Sequence, residues 1–165
     1  QYTYGGKAVG GIEMFLYHIY KNIDRERFQF DFYLQNGNSM QQMEKDIYLL
    51  GGKIVYGKPF NSYIPKFFYH TRQLSNTLRN GNYDIIHINM ESPVWILHAA
   101  LLAKMHRVKG IVIHSHSDQR LHQDKYRFIS FFLAKVIQKI GDQYFSASEQ
   151  AGKFLFPHKN NFLVI

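Results

Sequence analysis

Two features of this sequence could do chemistry: histidines set two residues apart, and glycines gathered just ahead of an apolar helix. The first is His114-Ser115-His116-Ser117-Asp118, at the exit of an apolar run. In extended backbone, residues two apart point to the same side, so His114 and His116 share one. Three readings fit them. The pair could ligate a metal, with Asp118 as a third ligand. His116 could instead donate to, or position, a hydroxyl or a sugar. Both histidines could also simply bond loop backbone. His87 lies between isoleucines on a strand pattern and reads as a satisfied core histidine. Ser115 beside His116 is adjacency in sequence and makes no nucleophilic triad.

The second feature is Gly5-Gly6-Lys7-Ala8-Val9-Gly10-Gly11, which runs into Ile12, Phe15, Leu16 and Ile19 at helical spacing. Lys7 is not followed by Ser or Thr, so this is no P-loop, nor is it a clean G-x-G-x-x-G. It is either a plain strand-to-helix turn or a turn facing a phosphate, where backbone N–H groups and the helix dipole favour an anion. On the second reading, Gly11→Val would block the backbone's approach and strain the turn.

A third stretch, Lys58 to Tyr69, mixes cations with rings. Tyr63, Lys66 and Phe67 could lie on an anionic bilayer, rings in the interface and lysine on the headgroups. Alternatively Phe67 and Phe68 belong to the core of a helix.

The elements that must position these groups follow from periodicity. Helices are predicted over 10–23, 40–50, 64–79, 93–105, 125–140 and 148–156. Strands are predicted over 27–34, 53–56, 83–89, 110–114, 142–147 and at Phe162 to Ile165. The helix at 125–140 is expected to bury Phe128, Phe132, Val136 and Ile140. Gly51-Gly52 should close the second helix, and Ser92-Pro93 should open the fourth. Alternation of strands with helices predicts βαβ units. The fold class is therefore α/β, a Rossmann-like, doubly wound, mostly parallel sheet with helices on both faces. In such sheets ligands sit at the carboxyl ends of strands. Asn36 to Ser39, His87, Asn89, His114 to Asp118, Ser146 and Ser148 are all strand exits. Together with the glycine turn they are expected to form one rim.

The 165 residues carry a formal net charge of +8, no cysteine, 14 Phe and 12 Tyr. Disulfides and thiolate chemistry are excluded, and no run is long enough to span a membrane. The charge suits phosphates, nucleic acid or an anionic membrane face, or serves solubility alone. Lys and Arg are spread along the chain and no nucleic-acid motif is present, so nucleic acid is not expected as a partner. The length suits a single domain over 1–165. The apolar end at Phe162 to Ile165 and the loop-like start lead us to expect part of a longer polypeptide.

In order along the chain, Gly10-Gly11-Ile12-Glu13-Met14-Phe15-Leu16, Asn22-Ile23-Asp24-Arg25, Phe30-Asp31-Phe32, Leu50-Gly51-Gly52-Lys53-Ile54, Tyr83 to His87, Ile113 to Asp118 and Ser146 to Phe156 resemble blocks of a known family. They are similar to bacterial capsular and exopolysaccharide glycosyltransferases of the GT-B, family-4-like type. The resemblance covers nearly the whole chain. It implies the N-terminal, acceptor-side half of a GT-B fold, with the nucleotide-sugar domain absent and the first strand missing or reduced to Gln1 to Tyr4. It implies a retaining, metal-independent hexosyl transfer from a nucleotide-sugar to a polysaccharide or lipid-linked acceptor. It needs no cofactor, and the fragment is inactive alone. By carry-over, Gly10 and Gly11 face the donor diphosphate and His116, as the catalytic-site histidine, sits near the transferred sugar. His114, Ser115, Asp118, Asn89 and Ser148 face acceptor or sugar, and Tyr63, Lys66 and Phe67 meet lipid acceptor or membrane. The expected location is cytoplasmic, at the inner membrane face where membrane contact is made. A non-enzymatic Rossmann-like module binding nucleotide or phosphate is the alternative.

Overall fold

The computed structural model describes residues 1–4, 9–116, 127–157 and 161–165, with backbone alone for 127–130. Two compact units divide the chain, Gln1–Gln73 and Leu74–Ile165. The architecture is α/β and Rossmann-like, and every strand pairing recorded within a unit is parallel.

In the first unit, β1 (Tyr2–Thr3), α1 (Gly11–Asn22), β2 (Phe32–Leu34), α2 (Glu44–Leu49, entered through a 3₁₀ turn at Gln41–Met43) and β3 (Ile54–Tyr56) follow one another. The strand order is β3-β2-β1, with Tyr2 level with Tyr33 and Phe32 with Ile54. The first strand is thus present, reduced to two residues. Alternation sends Phe32, Leu34 and Ile54 to one face, where they pack with Leu16 and Tyr20 of α1 and with Met40, Met43 and Ile47. Tyr20 also reaches polar partners: its hydroxyl donates to the Leu50 carbonyl at 2.9 Å and accepts from Gln29 Nε2 at 2.6 Å. On the other face the Tyr2 and Tyr33 rings stand 5.3 Å apart. There the Tyr33 hydroxyl donates to Gln73 Oε1 at 2.9 Å and lies 3.3 Å from His70 Nδ1.

The strand expected over 27–34 forms only from Phe32. Asp24 is the reason: its carbonyl accepts from the N–H groups of Arg27 and Phe28, and its carboxylate accepts from Glu26 N at 3.1 Å. These bonds curl residues 24–28 into a turn before extension begins.

α3 (Tyr63–Gly81) carries residues of both units. In the second unit come β4 (Ile85–Asn89), α4 (Pro93–Met105), β5 (Gly110–Ser115), α5 (Arg127–Ile140), β6 (Gln143–Ser146), α6 (Glu149–Leu155) and β7 (Leu163–Val164). The order β4-β5-β6-β7 places Asn89 beside His114, His114 beside Phe145, and Phe145 beside Leu163. Ile86, Ile88, Ile111, Ile113 and Tyr144 fill the opposite face and are buried. α4 is buried on nearly every side through Trp95, Ile96, Ala99, Ala100, Leu102 and Ala103. α5 buries Ala134, Ile137 and Ile140, whereas Phe132 is exposed. The stripe expected through Phe132 and Val136 is therefore rotated toward Ala134 and Ile137, with Val136 half-buried at its edge. Phe128 lies outside the described side chains.

Two helix ends share one bonding scheme. After α2, Gly51 N–H reaches the Tyr48 carbonyl and Gly52 N–H reaches Ile47, with Gly51 at φ 86°. After α4, Arg107 N–H reaches Lys104 and Val108 N–H reaches Ala103, with Arg107 itself at φ 58°. Both are Schellman ends; the first uses the glycine that suits it, the second does not.

Gly57 admits no side chain: a Cβ there would fall on the Gln35 carbonyl, well inside contact distance. Gly57→Ala should therefore destabilise the fold by roughly 1–3 kcal/mol. Gly11→Ala, whose Cβ would meet none of the described residues within 4 Å beyond its own turn, should leave it nearly unchanged. Thermal melts of the two variants compare them directly.

Candidate functional site

The residues that could do chemistry fall into groups within each unit. In the first, Gly10 caps α1 in extended backbone, and its N–H donates to the Glu13 carboxylate at 3.0 Å. Glu13 is buried. A carboxylate on the third helical residue complements the helix dipole and satisfies one amide that the helix cannot. The N–H groups of the first helical residues, Gly11 onward, have no acceptor within the helix. Gly11 has ordinary negative φ and open space at its missing Cβ. Among the described residues nothing meets a Cβ at Gly11, so glycine leaves room there. Gly5 to Ala8 lie outside the described residues.

In the second unit, parallel register brings four polar side chains to one face of β4 and β5. His87 and Asn89 alternate up β4; His114 and His116 follow up β5. The His87 and His114 rings are stacked, parallel within 1°, with centroids 5.4 Å apart, and His116 stacks on His114 at 3.9 Å. The Phe145 ring closes edge-on against both His87 and His114, 6.0 and 6.1 Å away. His116 Nε2 stands 3.0 Å from Asn89 Oδ1, and Asn89 Nδ2 donates to the His87 carbonyl at 3.2 Å.

Burial holds all three imidazoles neutral. It lowers His87 to about 3, with His114 and His116 adding repulsion; it lowers His114 to about 3, with His116 adding to it; and it lowers His116 to about 4. At neutral pH His116 is an uncharged ring with one N–H, suited to hydrogen bonding with a hydroxyl and unsuited to stabilising a charge by itself.

Several expected roles change on this geometry. Asn89 is fully buried and meets His116 instead of facing open space. His114 is buried between the other two rings. Ser115 is buried, and its hydroxyl donates to the Ala151 carbonyl at 2.7 Å. Ser148 caps α6 by accepting from Ala151 N–H at 3.1 Å. Asn89, His114 and Ser115 are therefore packed into the fold or against His116, while Ser148 caps α6 and stays half-buried. His87, read as a satisfied core histidine, keeps a buried Nε2 that finds no hydrogen-bond partner among the described residues. Asp118 lies outside the described residues. Among the described residues no group of three His, Asp or Glu is placed to hold a metal ion.

At the start of α3, Tyr63, Ile64 and Phe68 are 55, 68 and 69% exposed. Phe68 is thus not core. Phe67 is partly covered, stacked on Tyr63 at 6.2 Å and edge-on to Phe68 at 6.1 Å. The Lys66 ammonium lies 5.4 Å over the Tyr4 ring. An apolar surface with a cation at its border results. Among the described residues no helix is long and apolar enough to cross a membrane.

Comparison with known proteins now bears on this arrangement. The family profile described as Glycosyltransferase Family 4 matches residues 9–158, from the cap of α1 to beyond α6. The chain belongs to glycosyltransferase family 4. A relative in Bacillus subtilis (strain 168), named as glycosyltransferase EpsF, is 26% identical over 160 residues. That match takes in 94% of this chain and 40% of the relative, so the chain spans under half the relative's length. A crystal structure from Listeria monocytogenes, named as a UDP-N-acetylglucosamine 2-epimerase, superposes with a TM-score of 0.62 at 13% identity. It covers 97% of this chain and 42% of that one, and it shows the fold. The family 4 match spans both groups, Gly10 with Glu13 and the residues from His87 to Ser148.

The neutral histidines set a pH dependence of stability. Their folded values lie below the ordinary 6.5, so between about 6.5 and 3 the unfolded chain binds more protons. Stability is complete above pH 6.5 and is lost as pH falls toward 4. Buried His114 accounts for at most about 1.4 kcal/mol per pH unit, and the partly exposed pair for less. Calorimetric melts from pH 8 to 4 should show this slope, and His114→Phe should flatten it.

Proposed function

We propose that this chain is the acceptor-side half of a retaining glycosyltransferase that moves a hexosyl group from a nucleotide-sugar to a polysaccharide or lipid-linked acceptor. The family 4 match carries the reading. The site geometry supports it in two places. Glycosyl transfer breaks the bond between the anomeric carbon and the diphosphate oxygen, and the leaving diphosphate takes up negative charge. The amide-rich end of α1, opened by Gly10 and Gly11, is suited to such an anion without a side-chain cation. His116, uncharged and held on its edge by Asn89, is suited to the hydroxyls of the transferred sugar. No metal ion is required by this division of labour.

The exposed Tyr63, Ile64 and Phe68 with Lys66 support contact with a lipid-linked acceptor or with the anionic face of the membrane that carries it. The rest of the donor site would come from sequence beyond this chain, so residues 1–165 alone should transfer no sugar.

The test uses the full-length protein, uridine and guanosine diphosphosugars, and a lipid extract as the acceptor source. Release of nucleoside diphosphate that depends on the extract supports the reading. No release with any donor, together with tight nucleotide binding by calorimetry, favours a non-enzymatic binding module. His116→Ala should lower turnover at least about a hundredfold while moving the melting temperature by only a few degrees. Gly11→Val should impair donor use with little change in melting temperature, since a Cβ there meets none of the described residues beyond its own turn. Equal losses of stability and activity in either variant would remove that residue from the site.

A further inference from the structure

α4 and α5 turn apolar stripes outward that no residue of the candidate site uses. With 13 and 14 residues, they connect successive parallel strands, so right-handed crossovers lay both on one face of the sheet, where they pack side by side. Toward the rest of the unit α4 buries Ile96, Ala99 and Ala103, and α5 buries Ala134 and Ile137. On the outer side, Val94, Leu101 and Met105 recur on α4 at i, i+7 and i+11, and Phe131 and Phe132 stand exposed on α5. Met105 is 74% and Phe132 66% exposed, although side chains of this size gain most from leaving water. Large apolar side chains gathered on neighbouring helices mark a contact surface.

Charge decides what meets it. Neither helix contains an Asp or a Glu. Lys104, Lys135 and Lys139 are exposed along them, and exposed Arg107 follows α4. The Lys135 ammonium lies 4.6 Å over the Phe131 ring, so cation and ring share one place. In sequence the nearest acids, Glu91, Asp124 and Asp142, fall beyond the helix ends, and the Asp142 carboxylate accepts from Ile111 N–H at 2.8 Å. Two copies meeting through this face on a two-fold axis would set these cations against their own images, with no acid of either helix to offset them.

We propose that the outer face of α4 and α5 lies on an anionic lipid surface. Leu101, Met105, Phe131 and Phe132 enter the interface, and Lys104, Lys135 and Lys139 reach the headgroups. This face is distinct from the exposed start of α3, and the proposal does not rest on the transferase reading. Rings and a methionine suit a fluid interface that offers no fixed complementarity, and lysine buries its methylenes while its ammonium stays at the phosphates. The helices run in the same direction for about 20 Å each, so their stripes lie along a bilayer instead of crossing it.

The experiment uses the full-length protein with vesicles of phosphatidylcholine, alone or mixed with phosphatidylglycerol. Co-sedimentation should favour the anionic vesicles at least about tenfold and weaken as salt rises. Met105→Ser combined with Phe132→Ser should lower that partition at least about tenfold, and Lys135→Glu combined with Lys139→Glu should do the same. All four side chains are exposed, so melting temperatures should hold in both variants. Phe132→Trp should shift its emission to the blue when anionic vesicles are added, over the constant emission of buried Trp95. An unshifted emission, equal binding to both kinds of vesicle, or no binding to either would overturn the proposal. So would loss of binding in Tyr63→Ser combined with Phe68→Ser while the Met105 and Phe132 variant binds as before, since the contact would then belong to α3. A concentration-dependent dimer that Phe132→Ser dissolves, without lipid binding, would give the face to a second copy and overturn it too.

Discussion

Parallel backbone pairing of β4, β5 and β6 is the constraint on which the chemistry of this chain depends. Side chains alternate across a strand, so pairing Asn89 with His114 and His114 with Phe145 decides which groups share a face. A slip of one residue would send the imidazoles into the layer now filled by Ile86, Ile88, Ile111 and Ile113, and bring isoleucines out in their place. The apolar face thus enforces the polar one. Hydrophobic burial on one side of the sheet fixes hydrogen-bond geometry on the other.

The first unit works by different means. Among its described glycines, only Gly37 and Gly51 hold unusual dihedral angles. At Gly57 and Gly52 the absent side chain lets carbonyls of the neighbouring strand come close. At Gly11 it leaves vacant space before a helix end. The buried Glu13 carboxylate already takes the Gly10 amide.

Much of the fold was legible because strands and helices alternate strictly, with glycine, proline and serine at the changes. Ser148 and Gly51 mark their helix ends as the sequence suggests. Legibility failed where a local hydrogen bond competes with a pattern. Asp24 curls the chain before Phe32, although Phe28, Phe30 and Phe32 alternate like a strand. On α5, four aromatic and aliphatic residues at helical spacing suggested one stripe, while the buried one runs through Ala134, since contact depends on size as well as on spacing. In the site, the histidines could be named from their spacing within one strand. The role of Asn89 could not, because it arises from the register between two strands. Only the i, i+2 relation of His87 and Asn89, set beside that of His114 and His116, hinted at a shared face.

One feature of α4 bears on natural variation. Arg107 holds a left-handed backbone that costs a branched-out side chain about 1 kcal/mol more than it costs glycine. Many arginine codons are a single base change from glycine codons. Drift at this position consequently runs downhill in energy, and a homologous population should accumulate glycine there unless the guanidinium is kept for some purpose of its own.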